Sequence, residues 1–226
     1  MQRKLEEKEY LDELAYDSYL AKKGRKGLKK INYIMGNFVW FKKRLRQIVS
    51  LQGAVNFIEI GAGDGSMGRF LYADPLLQKY LLLTGIDRFP RPQYWPAPWP
   101  WIQTDLFDLI NTGTFAPGSY HGILANMVLH HFSSAQLAII GNWIVQLSAL
   151  CLFCIEPLRS SLSLFELFLL RLVGLNQITF HDGWLSIKSG FMGLELPELL
   201  NLSSKQWQYK IDVTLLGAYR LEATKK

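Results

Sequence analysis

A glycine-rich turn placed directly after a short apolar run constrains this chain more than any other feature. Val55 to Ile60 leads without a break into Gly61-Ala62-Gly63-Asp64-Gly65, and Met67 to Tyr72 then reads as a helix. An apolar run of that length bounded by glycine reads as a buried strand. Glycines let the backbone approach a ligand with no Cβ in the way. In open α/β sheets, ligands bind beyond the carboxyl ends of the strands, which is where this turn falls.

The same grammar repeats downstream. Leu81 to Ile86 is a second apolar run ending in Asp87, and Trp101 to Thr104 is a third ending in Asp105. Gly122 to Ala125 is a fourth, and Ala149 to Ile155 a fifth after the helical stretch Ser134 to Gln146. Strands alternating with helices predict an α/β fold, a doubly wound and mostly parallel seven-stranded sheet with right-handed crossovers. Gln206 to Leu215 and Gly217 to Ala223 sit close together with no helix between them, which predicts an antiparallel hairpin at the sheet edge. The segment Phe89 to Trp101 interleaves Pro90, Pro92, Pro96, Pro98 and Pro100 with Trp95 and Trp99. Proline at that density forbids a helix, so this crossover is an extended, aromatic-lined strap.

The first fifty residues read as helical. Leu5 to Leu20 is rich in Glu, Leu and Tyr, and Gly24 and Gly27 are expected to break the pattern. Ile31, Ile34, Phe38, Phe41 and Leu45 then recur at spacings of three and four, one apolar face of a helix over Ile31 to Leu51. No glycine-rich linker separates these helices from the rest. Residues 1–52 are therefore read as a cap on a core over 53–226, together one domain, 1–226.

Other patterns narrow the function classes. The richest apolar stretch, Leu162 to Leu175, carries Glu166 and Arg171, and so falls short of the roughly 20 nearly uncharged residues of a membrane span. Phe165, Phe168, Leu169 and Leu172 would form one face of that helix, for core packing first and as a lid over a long-chain substrate second. The start, Met-Gln-Arg-Lys-Leu-Glu-Glu, has no apolar core of a secretory signal, and a cytoplasmic protein is expected. Cys151 and Cys154 form a lone CxxC inside an apolar run; further zinc ligands at recognisable spacing are lacking, so these read as core residues and no metal is expected. Much of the formal charge of +6 comes from a patch between Lys22 and Arg46. A solvated helix face is its commoner meaning. Its sharper meaning is contact with nucleic acid, an anionic membrane surface or an acidic partner.

Glu59, Asp87 and Asp105 each fall at an expected strand end, around the glycine turn. A dinucleotide site would show GxGxxG, whereas here the third glycine comes one place early and Ser66 takes its slot. An acid beside the turn also suits a cationic ligand better than a pyrophosphate.

The stretch Phe57-Ile-Glu-Ile-Gly-Ala-Gly-Asp-Gly-Ser resembles the first motif of class I methyltransferases, the E/DxGxGxG turn. The resemblance implies S-adenosylmethionine as cofactor, its methionine part cradled by Glu59, Gly61, Ala62, Gly63 and Gly65. It implies Asp87, with Arg88 beside it, on the ribose, Asp105 and Leu106 on the adenine, and Asn126 facing the methyl donor. A narrower resemblance rests on Lys29-Lys-Ile-Asn-Tyr-Ile-Met-Gly-Asn, Leu129-His-His-Phe, Glu156-Pro-Leu-Arg, Thr179-Phe-His-Asp, Ser186-Ile-Lys-Ser-Gly-Phe and Gly217-Ala-Tyr-Arg. These are similar to small bacterial methyltransferases associated with type III polyketide synthases, and imply secondary metabolism and methylation of a phenolic or quinone-like polyketide, on oxygen rather than carbon.

An oxygen nucleophile with a pKa of about 10 profits from a base tuned near neutrality, and histidine is that agent. His130 and His131, after the fourth strand, and His181, beside Asp182, are the candidates. Glu156 and Arg159 would orient substrate or pair with each other. A small hydrophobic or aromatic acceptor is expected, not nucleic acid: Asn126 is followed by Met127, Val128 and Leu129, not by the Pro-Pro-aromatic of base methyltransferases. A nucleic-acid methyltransferase, motivated by the basic N-terminal stretch, a non-catalytic cofactor-binding scaffold and a nicotinamide oxidoreductase are the other readings.

Overall fold

Seven strands form one sheet: β1 (Val55–Ile60), β2 (Leu81–Asp87), β3 (Trp101–Gln103), β4 (Gly122–Asn126), β5 (Cys151–Pro157), β6 (Trp207–Val213) and β7 (Ala218–Lys225). The computed structural model describes residues 3, 9–14, 18–147, 149–172 and 174–226. The strand order is β3-β2-β1-β4-β5-β7-β6. β1 to β5 pair in parallel, while β7 runs antiparallel to both β5 and β6. After β3 the chain crosses back over β2 and β1 to build β4. The order thus reverses between β1 and β4, and a crevice opens above their tips.

Helices cover both faces, because alternate residues of buried parallel strands are apolar on both sides. On one face Ile58, Ile60 and Leu152 pack against α6 (Leu106–Thr112) and α7 (Ser134–Gln146). On the other, Phe57, Leu83 and Phe153 pack against α3 (Asn37–Gln52), α4 (Ser66–Tyr72) and α5 (Pro75–Tyr80). The proline strap between β2 and β3 is closed by its own indoles. Trp95 donates to the Trp99 carbonyl at 3.0 Å, Trp99 to Leu81 at 2.9 Å, and Trp101 to Phe89 at 3.2 Å.

The N-terminal helices differ from the sequence reading. The helix expected over Leu5 to Leu20 falls partly outside the described residues; within them stand the one-turn α1 (Tyr10–Glu13) and the start of α2 (Tyr19–Ile34). α2 runs straight through Gly24 and Gly27. Both glycines serve close approach rather than a break: a Cβ would stand 2.6 Å from Leu11 at Gly24 and 2.4 Å from Thr179 at Gly27. The chain breaks instead at Met35–Gly36, where Gly36 adopts φ +65° and separates α2 from α3.

The helix α8 (Ser161–Leu172) forms where expected, but its apolar face is not core. Phe165, Phe168, Leu169 and Leu172 are all exposed, whereas Leu167 is buried against the body. After it come α9 (Gln177–Ser189), which carries His181, and α10 (Glu195–Leu199). Residues from the N-terminus clamp onto α9: the Asp182 carboxylate accepts from the Tyr10 and Leu11 amides at 2.8 and 3.2 Å. The Arg3 guanidinium donates to the Ser189, His130 and Phe132 carbonyls at 2.8, 3.2 and 2.7 Å. Cys151 and Cys154 are free thiols buried in β5, and burial pushes Cys151 up to about 12. Among the described residues no helix is long and apolar enough to cross a membrane.

Candidate cofactor and acceptor site

The glycine turn takes a conformation that side chains disfavour. Gly61, Gly63 and Gly65 have φ of +63°, +56° and +70°. A Cβ at Gly61 would also stand 2.5 Å from Val128, whereas one at Gly63 would meet nothing nearer than the Gly61 carbonyl at 4.0 Å. β2 ties the turn down. Asp87 accepts from the Gly63 amide at 2.7 Å and the Phe89 amide at 2.9 Å, and the Ala62 amide donates to Ile86 at 3.1 Å. Burial raises the Asp87 pKa above the ordinary carboxylate value, against the pull of those amides.

Above the strand tips lies a cavity of about 470 Å³, whose lining includes Gly61, Asp87, Arg88, Asp105, Leu106 and His131. That volume falls within the range of roughly 300–1,000 Å³ usual for small-ligand sites. Asp105 also caps α6, accepting from the Phe107 amide at 2.8 Å, which ends β3 at Gln103, one residue earlier than expected. Asp105 is thereby held at the rim in a fixed orientation.

Glu59, Gly63, Gly65 and Asn126 stand outside that lining. Glu59 is paired in register with Leu124, so Asn126, two residues further along β4, faces the same side of the sheet. Glu59 is buried and its Oε2 has no hydrogen-bond partner. Burial, and then the charges of Asp87 and Asp64, raise its pKa well above the ordinary value. Asn126 donates to Asn32 Oδ1 at 3.2 Å, and Asn37 donates to the same oxygen at 2.9 Å. The carbonyl oxygens of both Asn37 and Asn126 are buried without a donor. A buried acceptor left without a donor costs about 1–3 kcal/mol. Asn32 and Asn37 stand in the Lys29-to-Asn37 stretch that carries the narrower resemblance, but no local pattern gave them a role; the packing of α2 and α3 brings them to Asn126.

No protein-family model matches the sequence, and no curated protein matches it. Solved structures do match. The plantazolicin methyltransferase BamL, in complex with a triazolic desmethylPZN analogue and SAH, superposes with a TM-score of 0.69 at 13% identity, covering 93% of this chain and 92% of that one. For BpumL with SAH, also a plantazolicin methyltransferase, the TM-score is 0.65 at 14% identity over 93% and 92%. For the magnesium protoporphyrin IX methyltransferase of Synechocystis PCC 6803 with bound SAH it is 0.51 at 15% identity over 96% and 91%. The chain has the class I methyltransferase fold.

Next to the larger cavity this methyltransferase fold holds a second, apolar one of about 90 Å³. Its walls come from α2 (Leu28, Ile31), α8 (Leu167, Leu170), α9 (Gly183) and the β6–β7 turn (Leu216). Met127 lines both cavities, and it is held at φ +57°, a conformation rare for a residue with a side chain. Neither that conformation nor the small cavity is written in any local pattern, since its walls are supplied by six separate stretches of chain.

The candidate bases are placed very differently. His131 lines the larger cavity. His130 does not: it is buried, with Nδ1 2.6 Å from Glu156 and Nε2 turned towards Glu9 at 3.6 Å. Burial pulls its pKa down, but the hydrogen bond to Glu156 and the charges of Glu156 and Glu9 outweigh that and hold it at about 9. Of the adjacent pair expected as candidate bases, His131 alone faces a cavity. His181 lines neither cavity; it stacks on Tyr10 with ring centroids 4.1 Å apart and sits 3.3 Å from Asp182. Glu156 and Arg159 do not pair with each other. Glu156 accepts from the Val128, Leu129 and His130 amides, fixing the loop after β4, while Arg159 pairs with Glu195 and donates to the Gly190 carbonyl.

Proposed function

We propose that this chain is an S-adenosylmethionine-dependent methyltransferase whose acceptor is a small apolar molecule, phenolic or quinone-like and of polyketide type, methylated on oxygen. The observation that carries the cofactor assignment is a set of orphaned acceptors: Glu59 Oε2 just before the glycine turn, Asn126 Oδ1 on the same sheet face, and Asn37 Oδ1, linked to Asn126 through Asn32. An α-ammonium group offers three N–H donors and a positive charge, the complement of one carboxylate and two amide carbonyls. Asp87 would hold the ribose hydroxyls, with Arg88 alongside. Asp105 and Leu106 would hold the adenine.

Bound there, the cofactor supplies a sulfonium methyl group open to in-line attack. The protein's part is alignment, which alone lowers such a barrier by about 7–11 kcal/mol. Met127, shared by the two cavities, separates donor from acceptor, and the apolar walls from α2, α8 and α9 exclude water from the acceptor side. His131, facing the larger cavity, takes the hydroxyl proton. The apolar character of the smaller cavity supports an aromatic acceptor over a charged one. Its small volume accommodates one edge of such a molecule.

Two measurements test the proposal. Titration calorimetry with S-adenosylhomocysteine and with NADH should give binding to the first only. Mass spectrometry of simple phenols and quinols incubated with the protein and methyl-labelled cofactor should show label on oxygen, and His131→Ala should slow that transfer by roughly 100-fold, the lower end for loss of a general base. Binding of NADH instead, or no labelled product from any phenol, would refute it.

A further inference from the structure

We propose that Glu9, His130 and His131 form a binding site for a divalent first-row metal ion, zinc foremost. Their ligand atoms all lie within 4.8 Å of one another. The spacing between Glu9 Oε1 and His130 Nε2 is 3.6 Å, beyond a hydrogen bond but close to what a shared ion imposes. Two atoms each about 2.0–2.1 Å from zinc, at a tetrahedral angle, stand about 3.4 Å apart.

His130 is the second and independent indication. It is 2% exposed, and its Nε2 has no hydrogen-bond partner although it points at Glu9 and away from solvent. Its other nitrogen, Nδ1, meets Glu156 at 2.6 Å. A metal-ligating histidine nearly always donates its second N–H to a carboxylate or carbonyl, which fixes the tautomer and leaves the free nitrogen for the ion. Glu156 is itself immobilised by three backbone amides of the loop that carries both histidines. The Ser186 hydroxyl holds Glu9 in the same way, donating to Oε1. Two imidazoles and a carboxylate are the donor set of zinc sites that keep a fourth position for water. The ion's two charges balance the Glu9 and Glu156 carboxylates, with His130 neutral. An entry path exists as well, because His131 lines the larger cavity.

The site shares no residue with the cofactor assignment, so S-adenosylhomocysteine affinity reports on that assignment alone; it does share His131 with the proposed proton transfer, and that imidazole can serve as base only in the metal-free chain. The test uses the full chain stripped with a chelator, then titrated with cobalt(II) and zinc(II). One equivalent should bind, with visible d–d bands of a low-coordinate cobalt site, and zinc at 100 times its Kd should raise the unfolding free energy by about 2.7 kcal/mol. Glu9→Gln and His131→Ala should each abolish the cobalt spectrum, and Glu156→Gln should weaken zinc binding about 10- to 100-fold. Far-ultraviolet circular dichroism checks that these variants fold. The wild-type stability shift needs no variant at all. Absence of that shift and of the cobalt bands, or binding undiminished in folded Glu9→Gln and His131→Ala, would overturn the proposal.

Discussion

Glu59→Gln is expected to do two opposite things: weaken S-adenosylhomocysteine binding and leave the ligand-free protein as stable as before, or more so. The side chain is buried, one oxygen lacks a partner, and its charged neighbours Asp87 and Asp64 are both acids. Its folded pKa lies well above the ordinary 4.5, so ionisation opposes folding. That penalty is absent below the unfolded pKa, grows as pH rises between the two values, and is complete above the folded pKa. Glutamine removes it, so the variant's melting temperature at about pH 8 should equal or exceed that of the wild type. In the complex, the variant loses a hydrogen bond from a cation to a carboxylate, worth about 1.5–3 kcal/mol. That corresponds to a Kd roughly 10- to 100-fold weaker. Titration calorimetry measures the first effect and scanning calorimetry the second. A further signature is proton release: below the folded pKa, binding the ammonium ionises Glu59, so the wild-type enthalpy depends on the buffer and the variant's does not. Unchanged affinity would sink the cofactor assignment, and a melting temperature lowered by several degrees would show that Glu59 is structural.

Gly63→Ala places a Cβ in open space but at φ +56°, so strain alone should act. At about 1–2 kcal/mol that lowers the melting temperature by roughly 2–8 °C, measurable by scanning calorimetry, and weakens cofactor binding by moving the amide held by Asp87. Gly183→Val puts a branch into the apolar cavity, its Cβ already 3.1 Å from Leu167. Acceptor KM should rise roughly 10-fold or more while S-adenosylhomocysteine affinity stays constant, as steady-state kinetics and calorimetry would show. In metal-stripped protein, the His130 contribution is complete below the ordinary 6.5 and lost as pH rises through about 9. Urea unfolding should therefore show stability falling across that window, with the slope reduced in Glu156→Gln.

What the sequence made legible was local. Each parallel strand is a short apolar run with an acid, an asparagine or glycine at its tip, so the sheet, its edge hairpin and the Gly61–Gly65 turn could all be read from patterns a few residues wide. The strap was equally plain, because proline forbids the alternative. Long-range packing was not legible. Gly24 and Gly27 look like helix breakers until Leu11 and Thr179 are seen to occupy the space a Cβ would need. The exposed face of α8 has the periodicity of a core helix, and periodicity reports only that a face is apolar, not what covers it. His130 and His131 looked interchangeable in sequence, yet one ring is enclosed by Glu9 and Glu156 and the other faces a cavity. The ligand spacing that signals metal in a sequence was lacking for the same reason, since Glu9 lies far along the chain from both histidines.

The clamp made by Arg3, Glu9, Tyr10 and Leu11 has a practical outcome for anyone handling this protein. Those residues reach the loop behind β4 and α9, beside the larger cavity, whereas Lys225, at the end of β7 between β5 and β6, and Lys226 line neither cavity. Truncation ahead of α2 would therefore loosen both α9 and the loop that carries His130 and His131.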